Sequence, residues 1–194
     1  TSLTSWNNRN FYYFGHGSAN SIGGDISTLD SSNNITGSIN LPGSRSYLTS
    51  QWVHDNVTYN TVWGPMPFRF VFLDGCDTAT GNWPWAWGVP KQTVGPDWYR
   101  NSANNPSGSR PNAFAGWDVE IGGNKSWGTV QGFWAFRDDW MSQWAGNPYS
   151  ESLSQAFTDA FSISGWVAPG QYNHLKDYGF TSMLFLQYNN SGDW

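Results

Sequence analysis

Cysteine, charge and long apolar runs are all scarce in this 194-residue chain. Cys76 is the only cysteine, so no disulfide forms within the chain and a disulfide-stapled scaffold is excluded. Only 12% of the residues are charged and the net charge is −5, which excludes the basic surface that nucleic-acid binding needs. No apolar run reaches the length of about 18 residues that a membrane-spanning helix requires, so we expect no membrane span.

Aromatic residues are abundant instead. They make up 18% of the chain and include 14 Trp. Low lysine content together with abundant Asn, Ser, Gly and Trp favours an extracellular or secreted protein. The length is that of one domain, so we expect a single domain over residues 1–194.

The hydrophobic pattern predicts strands alternating with helices. Strands are predicted at residues 10–14, 68–73, 112–121 and 180–188. Other predicted features are a polar hairpin over 22–41, a helix that begins at Ser46 with Leu48 and Trp52 on its inner face, a long loop over 82–112, a helix over 131–146 and a helix capped by Ser150. This order indicates an α/β fold around a mostly parallel sheet.

Two glycine-flanked loops follow predicted strands and carry reactive side chains. His16 lies between Gly15 and Gly17 after "NFYYF", and Cys76 follows Gly75 after "FRFVFLD". If the two strands are neighbours in a parallel sheet, the imidazole and the thiol meet at its carboxyl edge. A histidine there accepts the proton of a cysteine nucleophile, and the Gly17 and Cys76 amides stabilise an oxyanion.

The same loops resemble a known family. "NFYYFGHGS" is similar to the strand and histidine loop of caspase-like cysteine peptidases, in particular metacaspases, which read close to "FFYSGHG". "VFLDGCDTATG" resembles their nucleophile loop, close to "DSCHSG", and the "LSACETA" loop of CHAT-type domains. The resemblance covers most of residues 10–188 and implies a three-layer caspase-like sandwich.

The resemblance also implies roles for individual residues. His16 matches the general acid or base, Cys76 the nucleophile, and Gly17 with the Cys76 amide the oxyanion hole. Asp74 matches the acid that lines the substrate pocket, and Trp117 and Asp118 are further candidates for substrate binding. The implied activity is that of a thiol endopeptidase that cleaves a peptide or protein substrate after Arg or Lys. The remaining histidines, His54 and His174, are interpreted as solvated surface groups.

Three features depart from the family pattern. Asp77 follows the residue that matches the nucleophile, where metacaspases have His and CHAT domains have Glu. A carboxylate at this position disfavours ionisation of the Cys76 thiol to the thiolate. The family has about two strands before the histidine strand, so we expect this chain to be the C-terminal portion of a longer protein, with an upstream fragment or partner chain completing the sheet. The loop over 82–112 is unusually long and rich in Trp.

Metacaspases commonly bind Ca²⁺, but the sequence contains no EF-type loop and predicts no metal site or other cofactor.

Two other functions fit the same sequence. A catalytically inactive caspase-like module for binding or assembly has the fold without the reaction. It predicts that Cys76 and His16 are not within hydrogen-bond reach. A carbohydrate-binding module presents "NWPWAWGVP", residues 82–90, as an aromatic platform.

Overall fold

The computed structural model describes residues 10–23, 26–29, 35–39, 47–58, 68–105, 111–121, 125–141, 151–163 and 172–183. Its centre is a four-stranded sheet with the order β1 (Asn10–Phe14), β6 (Phe70–Asp74), β7 (Ala113–Trp117) and β8 (Leu175–Gly179). The pairs β1–β6 and β6–β7 are parallel, and β7–β8 is antiparallel. The predicted α/β class with a mostly parallel sheet is therefore confirmed.

The central strand β6 is buried along its whole length, as its continuous apolar sequence predicts. Successive side chains of a strand point to opposite faces. Phe70 and Phe72 accordingly belong to one apolar cluster, and Val71 and Leu73 belong to the other. The sheet thus has a hydrophobic core on each face.

Helices cover both faces of the sheet. On the Phe72 face, α4 (Lys125–Met141) and α5 (Leu153–Thr158) supply stacked aromatic rings, with Phe136 and Phe157 only 4.1 Å apart between centroids. The predicted apolar stripe of the second helix is confirmed, because all its members are buried: Leu153, Ala156, Phe157, Ala160 and Phe161.

The opposite face is covered by shorter elements. The helices α1 (Ser50–Val53) and α2 (Trp83–Ala86) place Val53 and Trp83 in the second cluster. Two small antiparallel pairs complete the described strands. They are β2 (Ser21–Gly23) with β5 (Tyr47–Thr49), and β3 (Ile26–Leu29) with β4 (Ile35–Ile39), the second of which is the predicted polar hairpin.

The helix predicted to begin at Ser46 begins later. Residues 47–49 form β5, and Thr49 caps α1 by accepting a hydrogen bond from the Trp52 amide at 3.1 Å. Trp52 is exposed and Val53 is buried, so the predicted inner face is wrong at Trp52. The helix begins at the Thr49 cap, and Val53 rather than Trp52 packs in the second cluster. Ser46 lies outside the described residues.

The other differences lie in the second half of the chain. The predicted loop over 82–112 contains α2 and a further short helix, α3 (Pro96–Arg100). The cap of α5 is Ser152, whose hydroxyl accepts from the Gln155 amide, and Ser150 lies outside the described residues. The predicted strand over 180–188 is wrong over 180–183, because the strand β8 ends at Gly179 and a bend and a turn follow it, and residues 184–188 lie outside the described residues.

Within the part of the chain that the structure describes, no helix combines the length and the apolar character needed to span a bilayer.

Candidate functional site at the carboxyl edge of the sheet

The two glycine-flanked loops lie side by side at one edge of the sheet. In the register of β1 with β6, Phe14 pairs with Asp74. His16 and Cys76 each lie two residues beyond that pair, on neighbouring parallel strands. The Gly15 amide donates to the Asp74 carbonyl at 3.3 Å and continues the pairing past the strand ends. The sheet register therefore brings together the two loops that the sequence singles out.

Glycine allows the loops to touch through their backbones. A Cβ on Gly17 would lie 2.9 Å from the Cys76 carbonyl oxygen and 2.8 Å from Thr78 Cγ2. A Cβ on Gly75 would lie 2.9 Å from the Gly15 carbonyl oxygen. Real Cβ atoms do not tolerate such contacts well, so each glycine is needed for the close approach.

The turn that follows Cys76 is tightly held. The buried Thr78 hydroxyl donates to the Leu73 and Gly75 carbonyls at 2.7 and 2.9 Å, and it accepts from the Trp117 amide at 3.2 Å. Asp77 has a φ of 55°, a left-handed conformation that Asp adopts more readily than most residues. These contacts fix the backbone conformation of the turn that begins at Cys76.

Cys76 is half-buried, and its sulfur accepts one hydrogen bond from the part of the chain that the structure describes. The Ile121 amide donates to Sγ at 3.3 Å, and the side chain packs against the apolar cluster of the Phe72 face. Ile121 follows β7, so this bond holds the sulfur on the side away from β1.

His16 is exposed, and its loop is anchored through the backbone. Its carbonyl oxygen accepts from the Tyr13 hydroxyl at 2.8 Å and from the Gly23 amide at 3.1 Å. Among the described residues, no hydrogen bond joins the His16 imidazole to Cys76 Sγ. The ring and the sulfur occupy adjacent loops without contacting each other through a hydrogen bond.

Two backbone amides at this edge have no acceptor in the described part of the chain. They are the amides of Gly17 and Cys76, the pair that the sequence analysis assigns to an oxyanion hole. Gly17 forms an isolated bridge with Ile22, but the bonds of that bridge use the amides of Ser18 and Gly23. Both N–H groups are therefore available to an oxygen atom of a bound molecule.

Asp74 lies beneath the site rather than on its surface. Its side chain is fully buried, and its carboxylate accepts from the Tyr12 hydroxyl at 2.9 Å and from Trp117 Nε1 at 2.8 Å. Burial raises the pKa of Asp74 to about 6, while hydrogen bonds from Tyr12, Trp117 and Thr129 partly oppose that rise.

This burial differs from the substrate pocket predicted for Asp74 and Trp117. The side chains of both residues are 0% exposed, so neither has surface for a substrate to contact. Their polar atoms are bonded to each other, which gives them a structural role beneath the loop that carries Cys76. The Tyr12 ring, stacked on Phe133 at 3.6 Å, supplies the second donor to the carboxylate.

Asp118 lies after β7 and is already ion-paired. Its carboxylate contacts His174 Nδ1 at 2.7 Å and Lys176 Nζ at 3.3 Å. His174 is exposed, as expected for a solvated surface group, and its Nδ1 is in addition paired with Asp118. The interpretation of His54 as a solvated surface group is wrong, because its ring is half-buried and stacks on Trp85 at 3.7 Å. Asp118 and Trp85 are distant from these histidines in sequence, so no local pattern indicates these two contacts, although His54 Nδ1 also contacts its sequence neighbour Asp55 at 2.8 Å.

Among the described residues, no three His, Cys, Asp or Glu side chains cluster as metal ligands. Comparison with known proteins adds no assignment. No protein-family model, curated protein or solved structure matches this chain.

Proposed function

We propose that this protein is a cysteine peptidase of the caspase-like type, with Cys76 as nucleophile and His16 as general base and acid. The observation that carries the proposal is the convergence at one sheet edge of a thiol, an imidazole and two amides that have no acceptor among the described residues. The register of β1 with β6 and the backbone contact at Gly17 support it.

The reaction follows from the chemistry of these groups. His16 takes the proton of the Cys76 thiol as Sγ attacks the carbonyl carbon of the substrate, and the Gly17 and Cys76 amides donate to the resulting oxyanion. The C–N bond then breaks, and His16 gives the proton to the departing amine. Water, deprotonated by His16, hydrolyses the thioester and releases the acid and the free thiol.

Attack requires one local movement. Sγ accepts from the Ile121 amide, so it must leave that donor to face the imidazole. Rotation about the Cα–Cβ bond of Cys76 moves the sulfur without disturbing the turn. Catalytic hydrogen bonds are often formed only when substrate is bound, so the separation in this structure is compatible with the reaction.

We propose the cysteine chemistry without a preference for Arg or Lys substrates. That preference depended on Asp74, which is buried and hydrogen-bonded, and on Asp118, which is paired with His174 and Lys176. Peptide or protein remains the proposed substrate class. The end position of β1 in the sheet order supports a further strand, from an upstream fragment or a partner chain, pairing beside it.

A second candidate is the inactive module for binding or assembly. The observation that favours it is the missing hydrogen bond between His16 and Cys76 within the described residues, together with the packing of the sulfur against the core. In this function the two loops are a scaffold and the thiol is inert.

Covalent labelling separates the two candidates. We expect peptidyl fluoromethyl ketones with varied side chains at the residue before the reactive group to label Cys76 near neutral pH, as read by intact-protein and peptide mass spectrometry. His16→Ala should slow labelling at least about tenfold because the thiol loses its base, whereas the control His54→Ala should label normally.

Equal labelling of the wild type and His16→Ala would contradict the dyad. A folded wild-type protein that no reagent labels would support the inactive module.

A further inference from the structure

A cleft lies beside the turn that follows Cys76. It has a volume of about 350 Å³, within the range of roughly 300–1,000 Å³ typical of small-ligand sites. Thr80 and Gly81, at the end of that turn, form part of its wall. None of the catalytic groups proposed above lines it, so its function needs a separate explanation.

The cleft presents two tryptophans. Trp85 is 43% exposed, although large apolar side chains are usually buried. The His54 ring stacks parallel to its indole, with the ring centroids 3.7 Å apart, and holds it in place. Trp98 also lines the cleft and is packed edge-on against Tyr99 at 4.8 Å. Rigid aromatic walls give large contact area to a ligand at little entropic cost.

The polar groups of the cleft are mainly amides. Asn82 and Asn104 are exposed, and neither side-chain amide has a hydrogen-bond partner within the described residues, although Asn82 is the N-cap of α2. An Asn amide both donates and accepts, as a hydroxyl does. These two side-chain amides lie beside aromatic rings. They therefore match a molecule that has several hydroxyl groups together with an apolar ring face.

The charge of the cleft argues against an ionic ligand. No acidic residue occurs among the described residues that line it. Its one cation, Lys91, donates through Nζ to the Thr80 and Gly81 carbonyls at 3.0 and 3.3 Å. These hydrogen bonds from Lys91 stabilise the turn. The net charge of the chain, −5, repels polyanions.

We propose that this cleft binds a neutral saccharide, with Trp85 as the stacking platform and Asn82 and Asn104 as hydrogen-bonding partners. The cleft is joined to the histidine loop, because Trp83 Nε1 donates to the Ser18 carbonyl at 3.0 Å. Gly81 also packs against Ala19, since a Cβ there would lie 1.7 Å from the Ala19 carbonyl oxygen. The site is thus built on the same rigid loops as the catalytic edge while using different side chains.

Titration of the full chain with defined oligosaccharides tests this proposal. The probes are neutral hexose and N-acetylhexosamine hexamers, oligogalacturonate as an anionic counterpart, and uncharged hexapeptides, each followed by calorimetry and by the indole NMR signals. We expect a neutral saccharide to bind, and we expect Trp85→Ala to weaken that binding by about tenfold or more. The matched control is Trp134→Ala, which removes a comparably exposed Trp (45%) from α4 and should leave the affinity unchanged.

A second variant guards against misfolding of Trp85→Ala. The double substitution Asn82→Ala and Asn104→Ala changes only exposed polar groups and should also weaken binding, with an unaltered thermal melting curve. Cys76→Ala should bind the saccharide as the wild type does, so that the failure of the peptidase proposal and the failure of this one are distinguishable. Binding of none of the neutral saccharides, binding of oligogalacturonate or hexapeptides alone, or undiminished binding by Trp85→Ala would overturn the proposal.

Discussion

Replacing either His16 or Cys76 with Ala is expected to lower kcat/KM for peptide hydrolysis by roughly 10³-fold or more, because in the proposed mechanism each side chain takes part in bond breaking. The double variant should be no slower than the slower single variant, since residues that act as one unit lose their effect together. The measurement is the initial rate on fluorogenic peptides selected from a library with the wild-type protein.

Substitution of Gly17 should reproduce much of this loss without removing a reactive group. The added Cβ of Gly17→Ala meets the Cys76 carbonyl and Thr78, so the histidine loop must shift away from Cys76, which would misalign the two amides of the proposed oxyanion hole. Gly95→Ala is the matched control, because a Cβ at Gly95 has no heavy atom within 4 Å. Multiplicative losses for His16→Ala and Cys76→Ala, or full activity in Gly17→Ala, would contradict the proposed site.

The buried Asp74 is expected to make stability depend on pH in an unusual direction. Its pKa is about 6 in the folded protein and 3.8 in an unperturbed carboxyl group, so the folded state holds the proton more tightly. The stabilisation from that proton is fully present below about pH 4 and is lost as the pH rises through about 6. The shift corresponds to about 3 kcal/mol in the free energy of unfolding.

Asp74→Asn removes this titration and keeps a group of the same shape beside Tyr12 and Trp117. We expect the free energy of unfolding of the variant, relative to the wild type, to rise by about 3 kcal/mol between pH 4 and pH 7, measured by urea denaturation. Asp97→Asn, at an exposed ion pair with Arg100, is the control and should show no such rise. A pH-independent difference between Asp74→Asn and the wild type would show that the carboxyl group is not desolvated.

The sequence predicts the elements that carry the proposed site better than those that surround it. The strands β6 and β7 are apolar runs buried along their whole length, and β1 is a half-buried run of aromatic residues, so all three stand out without knowledge of the fold. Because two of them end in glycine-flanked reactive residues, the neighbourhood of His16 and Cys76 follows once the strands are placed side by side.

Elements with mixed composition are harder to predict. The strand β8 has the sequence "LKDYG" and lies at the end of the sheet, so it lacks the apolar pattern that marks the inner strands. The helices α2 and α3 have four and five residues, which is too short for a helical period to be visible. Their start depends on proline and on packing of Trp83 rather than on a repeat.

The surroundings of Asp74 illustrate a further limit. Its three hydrogen-bonding side chains, Tyr12, Trp117 and Thr129, come from β1, β7 and α4. A motif comparison carries a role from one position to another, but it does not include the neighbours that decide whether a carboxylate is exposed. An acidic residue at the end of a strand can therefore line a substrate pocket in one protein and form buried structural hydrogen bonds in another.

The most direct test of the cysteine mechanism is a crystal structure of Cys76 acylated or alkylated by a peptidyl inhibitor. The mechanism predicts a sulfur rotated away from the Ile121 amide toward the His16 ring, and an inhibitor oxygen within about 3 Å of the Gly17 and Cys76 nitrogens. An adduct whose oxygen contacts neither amide, or a sulfur still bonded to the Ile121 amide with His16 remote from the inhibitor, would contradict it.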